Sequence, residues 1–189
     1  MQALLTGLLL ACAATSALMY FVVNRGRAQH FMESPIDRRI PFIPEFIIPY
    51  LAFIPLVTLA FALAFPTPWA VPFYLALIMG TLAGTLIRFF LRWGIRQPQI
   101  RREDVYDRLI HWLYRHDDRA HTFPSSHVLI STVASYYLAL MFPPYALGIW
   151  AVGALVALST LFVKQHYVID VLGGVAFAAG AIYLTSLIV

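Results

Sequence analysis

Apolar residues in this chain fall into long blocks, and the polar residues between them are unevenly shared. The blocks run roughly over 3–23, 46–65, 70–92, 124–142, 145–163 and 168–189. Each approaches the roughly 20 residues of helix that cross a bilayer. The pattern predicts an all-α fold, an integral membrane bundle of six transmembrane helices, with residues 1–189 forming a single membrane-embedded domain. Pro66 and Pro68 separate the second and third blocks, and Pro143-Pro144 separate the fourth and fifth. Pro49 and Pro55 fall inside the second block and should kink it, which neighbouring helices tolerate in lipid. Gly80 with Gly84, and Gly174 with Ala178, have the small-xxx-small spacing that lets membrane helices approach closely.

Every Lys, Arg, Asp, Glu and His lies in 24–45, 88–127 or 164–170. With six spans these regions share one membrane face. The turns at 66–69 and 143–144, on the other face, carry none. Loops ordinarily hold the charge of a membrane protein, but that does not explain its absence from one side. One side is therefore expected to do the work. Composition agrees: 61% of the residues are hydrophobic and 12% charged, against roughly 25% charged in soluble domains. The single cysteine, Cys12, lies in an apolar run and reads as a packing residue. The start Met1-Gln2-Ala3 has no basic residue, so 3–23 reads as a retained span rather than a secretory leader.

Two polar stretches have structure of their own. Residues 24–45, with four arginines and Pro35, Pro41 and Pro44, read as a folded cap or a shallow re-entrant piece. In 103–116, Val105, Leu109, Trp112 and Leu113 form an apolar row, with Asp104 as N-cap and Asp107 in the first turn. This predicts a short amphipathic interfacial helix. Arg88, Arg92 and Arg96 are spaced i, i+4, i+8, one stripe if the third span continues that far. Such a stripe either snorkels to lipid headgroups or turns a planar guanidinium towards a phosphate.

The chemistry-bearing residues gather at two span starts. Pro124, Ser125, Ser126 and His127 open the fourth span, where the first backbone N–H groups of a helix have no internal partner and attract anions. Ser159, Thr160 and Lys164 close the fifth span. His166 and Asp170, four apart, open the sixth and share a helix face. A carboxylate at a membrane edge needs a partner, and His166 would supply it. Asp170 would in turn fix the imidazole tautomer and leave the other nitrogen as a nucleophile or base. Phosphoryl transfer needs positioning and cationic charge above all, and this set offers both. A divalent-ion site built on His166, Asp170 and His127 is the competing chemistry; the cationic Lys164 and the arginines argue against it.

Pro124-Ser125-Ser126-His127, then Ser159, then His166-Tyr167-Val168-Ile169-Asp170, resembles the type 2 phosphatidic acid phosphatase family, whose pattern is K-x6-R-P, P-S-G-H and S-R-x5-H-x3-D. The spacing from Ser159 to His166 and Asp170 matches in full. Ser126 stands where the family has glycine, and Thr160 where it has arginine; Lys164 lies one turn further on the same face. Arg96-Gln97-Pro98 carries an inserted residue, and position 89 is Phe, so Arg88 or Arg92 would supply the missing charge. The Ser159-Thr160…Lys164-Gln165-His166 variant is similar to the branch with inositol phosphorylceramide synthases.

The resemblance covers about residues 70–189, taken as the catalytic part. It implies a metal-independent lipid phosphate phosphatase, or a phosphotransferase acting on an alcohol acceptor. His166 would form a phosphohistidine, Asp170 would orient it, and His127 would protonate the leaving alcohol and activate the second attacker. Ser125, Ser126, Lys164, Arg96, Arg92 and Arg88 would hold the phosphate. The expected partners are a lipid phosphate and membrane lipids, with no nucleic acid, no cofactor and no metal. The arginine-rich face would be cytoplasmic by the positive-inside rule, whereas the family's site faces away from the cytoplasm; the expectation follows the family.

Overall fold

A computed structural model describes residues 7–8, 11–12, 14–15, 28–100, 104–116 and 120–189. The expected first span therefore lies largely outside the described residues; those of it that are described are helical. The described chain is mainly helical. In order it forms β1 (His30–Phe31), α1 (Pro35–Arg39), a 3-10 turn (Pro44–Phe46), α2 (Ile47–Leu51), α3 (Phe53–Ala64), α4 (Ala70–Leu91) and β2 (Trp93–Gly94). It continues with α5 (Val105–His116), α6 (Ser126–Met141), a second 3-10 turn (Pro143–Tyr145), α7 (Ala146–Phe162) and α8 (Val168–Ser186).

Four of these stretches are long and apolar enough to cross a membrane: Pro44–Ala64, Ala70–Leu91, Pro143–Phe162 and Val168–Ser186. The fifth apolar helix, α6, is shorter, and it is the hub. It packs against α3, α4, α7 and α8, while α4 also packs along α8. The core is built where α3, α4 and α6 meet, around Phe73, Tyr74, Leu129, Val133 and Tyr137. Outward positions such as Leu86, Phe90, Leu147 and Leu172 stay exposed, as lipid-facing residues do. Lipid tails are as apolar as these side chains, so close packing rather than escape from water holds such helices together. Several core hydroxyls are satisfied within their own helices, Thr81 donating to Leu77 O at 2.6 Å and Ser159 to Val156 O at 2.6 Å, while Tyr74 Oη reaches across to Phe61 O at 3.0 Å.

The prolines act as the pattern predicts. Pro55 has no N–H to give to Leu51, and its ring crowds that carbonyl. The second span breaks there, with Ala52 at once the end of α2 and the start of α3.

The expected helical fold is found, and β1 and β2 add to it only a parallel pair of two residues each. Two expectations need correction. The arginine stripe does not exist, because α4 stops at Leu91 with Arg92 left-handed at φ 43°. Beyond it the backbone is drawn off by other partners: Gln29 N donates to Arg92 O at 3.0 Å, and Thr122 N to Trp93 O at 2.7 Å. Finally, α5 begins as predicted, with Asp107 N donating to Asp104 Oδ1 at 2.9 Å, but its apolar residues divide. Ile110, Leu113 and Tyr114 pack inward on Ile47, Tyr50 and Val163. Val105 and Trp112 stay outside, each 55% exposed.

Candidate active site

The two motifs meet because α6 and α8 touch at their starts. Gly173 and Gly174 make this possible. A Cβ on Gly174 would lie 2.7 Å from Ser125 O and 2.8 Å from Val128 Cβ, and one on Gly173 would lie 2.5 Å from Phe123 Cε2. With hydrogen there instead, Ser125 N donates to Asp170 O at 3.0 Å. Ser125 also caps α6, its Oγ accepting from Val128 N at 3.3 Å. The Phe123–Pro124 peptide is cis.

His166 lies in the short turn between α7 and α8. Gln165 N and His166 N donate to Thr160 O at 2.9 and 3.2 Å. Asp170, 1% exposed, accepts from Tyr167 N through Oδ2 at 2.9 Å. The same Oδ2 lies 3.5 Å from His166 Nδ1. That is the expected pairing, a few tenths of an ångström longer than a formed hydrogen bond. It leaves the far nitrogen of the ring, Nε2, as the one not facing Asp170.

His127, in the first turn of α6, faces His166 with 6.2 Å between ring centres. Its Nε2 is hydrogen-bonded to Tyr50 Oη at 2.9 Å, and its ring is flanked by Tyr50 and Phe53, each 4.8 Å away. Arg88, in the last turn of α4, is 3% exposed and turned inward. Its Nη1 donates to Pro124 O at 3.2 Å, which places a guanidinium against the first residue of the Pro124–His127 motif. Of the two uses open to that arginine, headgroup snorkelling is not the one adopted. A cavity of about 300 Å³ opens beside Ser126 and His127, and its walls are apolar, including Phe53, Val57 and Leu77.

His127, His166, Asp170, Ser125, Ser126 and Arg88 are thus brought together. The other three candidates are placed differently. Arg92 ends α4. Arg96 is out on the surface, its side chain 69% exposed, 3.7 Å from Glu33 and 5.2 Å from the Phe31 ring; only its backbone N reaches the site region, donating to Tyr167 Oη at 3.2 Å. Lys164 adopts φ 52° and donates its ammonium to the carbonyls of Asp37 and Ile40, at 3.2 and 2.6 Å. Burial lowers the Lys164 pKa from its ordinary value, and the carboxylates of Asp37 and Glu33 work against that shift. Burial likewise raises the Tyr167 phenol. Among the described residues no cluster of three His, Cys, Asp or Glu has the arrangement of a metal site.

Sequence reasoning missed Tyr50 and Asp37. Tyr50 carried a weak signal, a phenol inside a span next to Pro49. Asp37 carried a better one: Ser34-Pro35-Ile36-Asp37 has a capping residue, a proline at the first helical position and an acid at the third.

A search of curated proteins finds no match. Among solved structures, the chain is similar to the crystal structure of a transmembrane PAP2-type phosphatidylglycerolphosphate phosphatase from Bacillus subtilis. The TM-score is 0.53 at 15% identity, over 98% of this chain and 94% of that one. At that identity the likeness is one of fold, and it makes this a transmembrane fold of the same kind. The PAP2 superfamily model matches residues 69–189, a stretch that holds both histidines, Asp170 and Arg88, and on that match the chain belongs to the PAP2 superfamily.

Proposed function

We propose that the protein is an integral membrane lipid phosphate phosphatase that works through a phosphohistidine on His166. The observation that carries this reading is the meeting of the two motif ends. His166 Nδ1 lies 3.5 Å from the Asp170 carboxylate, and the His127 ring stands 6.2 Å across from it. Asp170 holds the Nδ1 side, so the Nε2 lone pair attacks phosphorus and the bond to the ester oxygen breaks. His127 gives its proton to the departing alkoxide. In the second half, His127 takes a proton from water, the resulting hydroxide attacks the phosphohistidine, the N–P bond breaks, and inorganic phosphate leaves with His166 restored. The phosphoryl oxygens carry negative charge throughout. Arg88 and the free N–H groups at the start of α6 supply the cationic and dipolar stabilisation this reaction depends on. Ser126 adds a hydroxyl beside His127. No step requires a metal ion, because nucleophile, acid and charge all come from side chains.

The apolar cavity next to His127 suits a substrate whose ester carries hydrocarbon. The structural neighbour's phosphatidylglycerolphosphate makes that lipid the first to offer, followed by other lipid phosphates. The proposed reading takes the family's usual orientation, with the site facing away from the cytoplasm; a single cysteine at exposed Val105, in a chain with Cys12 replaced, should then react with an impermeant label on intact cells, and no reaction until the cells are opened would turn the site inward.

Phosphate release by purified protein in detergent, with chelator present, tests the chemistry. Wild type should release phosphate and His166→Ala should not. Activity retained by His166→Ala would end the phosphohistidine reading. Release that appears only as transfer to an added alcohol would make the protein a phosphotransferase using the same residues.

A further inference from the structure

The turn that carries His166 is held from outside the matched family region as well as from within it. On the inner side, Gln165 N and His166 N are bound to Thr160 O. On the outer side stands α1, the five-residue helix of the cap. Its third residue, Asp37, is 5% exposed. A buried carboxylate is tolerated where its oxygens are hydrogen-bonded, and both of these are. Oδ2 accepts from Ser34 N at 2.7 Å and from Ser34 Oγ at 2.5 Å, closing a capping box on its own helix. Such a box needs only one oxygen. The other, Oδ1, reaches across the molecule to accept from Val168 N at 2.8 Å. Lys164 completes the contact by donating to the carbonyls of Asp37 and Ile40. The residues two before and two after His166 are therefore both bonded to one short helix.

We propose that Asp37 is a positioning residue for His166, clamping the start of α8 so that His166 and Asp170 keep their mutual geometry. Val168 N–H belongs to the first turn of α8 and has no partner within the helix. Asp170 rides on that same turn. Fixing Val168 therefore fixes where Asp170 stands relative to His166. Lys164 points to the same need. Its φ of 52° is a conformation that residues other than glycine hold only where the surroundings impose it, and its two bonds to the cap impose it. The proposal rests on His166 being the nucleophile.

Four variants of the full-length protein, assayed side by side for release of phosphate from a phosphatidylglycerolphosphate–detergent micelle, test it. Asp37→Ala removes both acceptors and should lower kcat roughly 100-fold, the size expected when a reacting group is misplaced by about an ångström, with KM changed little. Asp37→Asn keeps a carbonyl oxygen for Val168 N and loses only part of the capping box. Ser34→Ala loses the box alone. These two should behave alike and stay within about tenfold of wild type, the worth of an ordinary hydrogen bond. His166→Ala should be inactive.

Asp37→Ala within threefold of wild type, beside an inactive His166→Ala, would overturn the clamp and leave the nucleophile standing. Equal losses in Asp37→Ala and Ser34→Ala would also overturn it, reducing Asp37 to a cap for its own helix. An active His166→Ala would remove the nucleophile itself and the clamp with it. If Asp37→Ala does not survive purification, a fifth variant decides: Val168→Pro removes the donor that Asp37 holds at the first position of α8, where proline is favoured, and leaves the capping box intact; a kcat loss well beyond that of Ser34→Ala upholds the proposal, and parity with Ser34→Ala overturns it.

Discussion

His166 and His127 are held in opposite ways. His166 sits in a turn whose backbone is tied to Thr160 on one side, and whose flanking residues are tied to the cap on the other. A buried carboxylate stands at one of its ring nitrogens. His127 sits in the first turn of a helix, wedged between two aromatic rings, with one phenol at its Nε2. The difference fits the two roles proposed for them, nucleophile and general acid–base. A nucleophile must present one lone pair in one direction, and hydrogen bonds impose direction. A group that first gives and then takes a proton must serve two oxygens in turn. Ring packing and a phenol that can either donate or accept restrain it without fixing which nitrogen is protonated.

The contrast can be broken at several points. Asp170→Asn should do the most damage, because it favours the wrong tautomer on His166; loss of the equivalent carboxylate in another histidine pair costs about 10⁴ in kcat. Steady-state kinetics should show the loss in kcat, and a loss confined to KM would sever Asp170 from the chemistry. His127→Ala should cost about 10² to 10⁴, the range for a general acid. Its deficit should shrink with a leaving group that departs without a proton, such as an aryl phosphate. An equal deficit for lipid and aryl esters would count against the acid role.

Gly174→Ala acts on the joint between the two histidines. Its methyl group meets a backbone carbonyl and Val128, neither of which can swing aside. Overpacking of that kind costs about 1–3 kcal/mol, to be read as an earlier thermal transition in detergent; an unchanged transition would mean that α6 and α8 can separate freely. Tyr50→Phe should be mildest, losing one hydrogen bond and at most about tenfold in rate. A loss as large as that of His127→Ala would show His127 to be as tightly directed as His166.

The bundle was readable because lipid imposes long apolar runs, and each run from 46 onwards became helix within a few residues of its expected ends. The meeting of His127, His166 and Asp170 was readable because each motif opens an apolar run on the same membrane side, and His166 and Asp170 stand four residues apart. Tyr50 and Asp37 were not. Each acts on a residue far away in the chain, Asp37 on Val168 131 positions on, and nothing local in Tyr50 or Asp37 announces its partner. The arginine stripe failed for a related reason. The spacing of Arg88, Arg92 and Arg96 is a helical statement, but the helix ends where Gln29 and Thr122 take up the backbone carbonyls just beyond it, and helix ends set by distant segments leave no trace in periodicity. Lys164 is the subtler case. One turn beyond Thr160, it reads as a cation for phosphate, yet two donors of its ammonium are directed at the cap.

The greasy-walled cavity beside His127 changes what concentration means for this protein. A substrate that arrives through such walls comes from the plane of the bilayer or the surface of a micelle. Its collision frequency is set by its mole fraction among the surrounding amphiphiles, and the volume of the tube does not enter. Adding bare detergent at constant total substrate should therefore slow the reaction by surface dilution, while diluting micelles and substrate together should leave the turnover per protein unchanged.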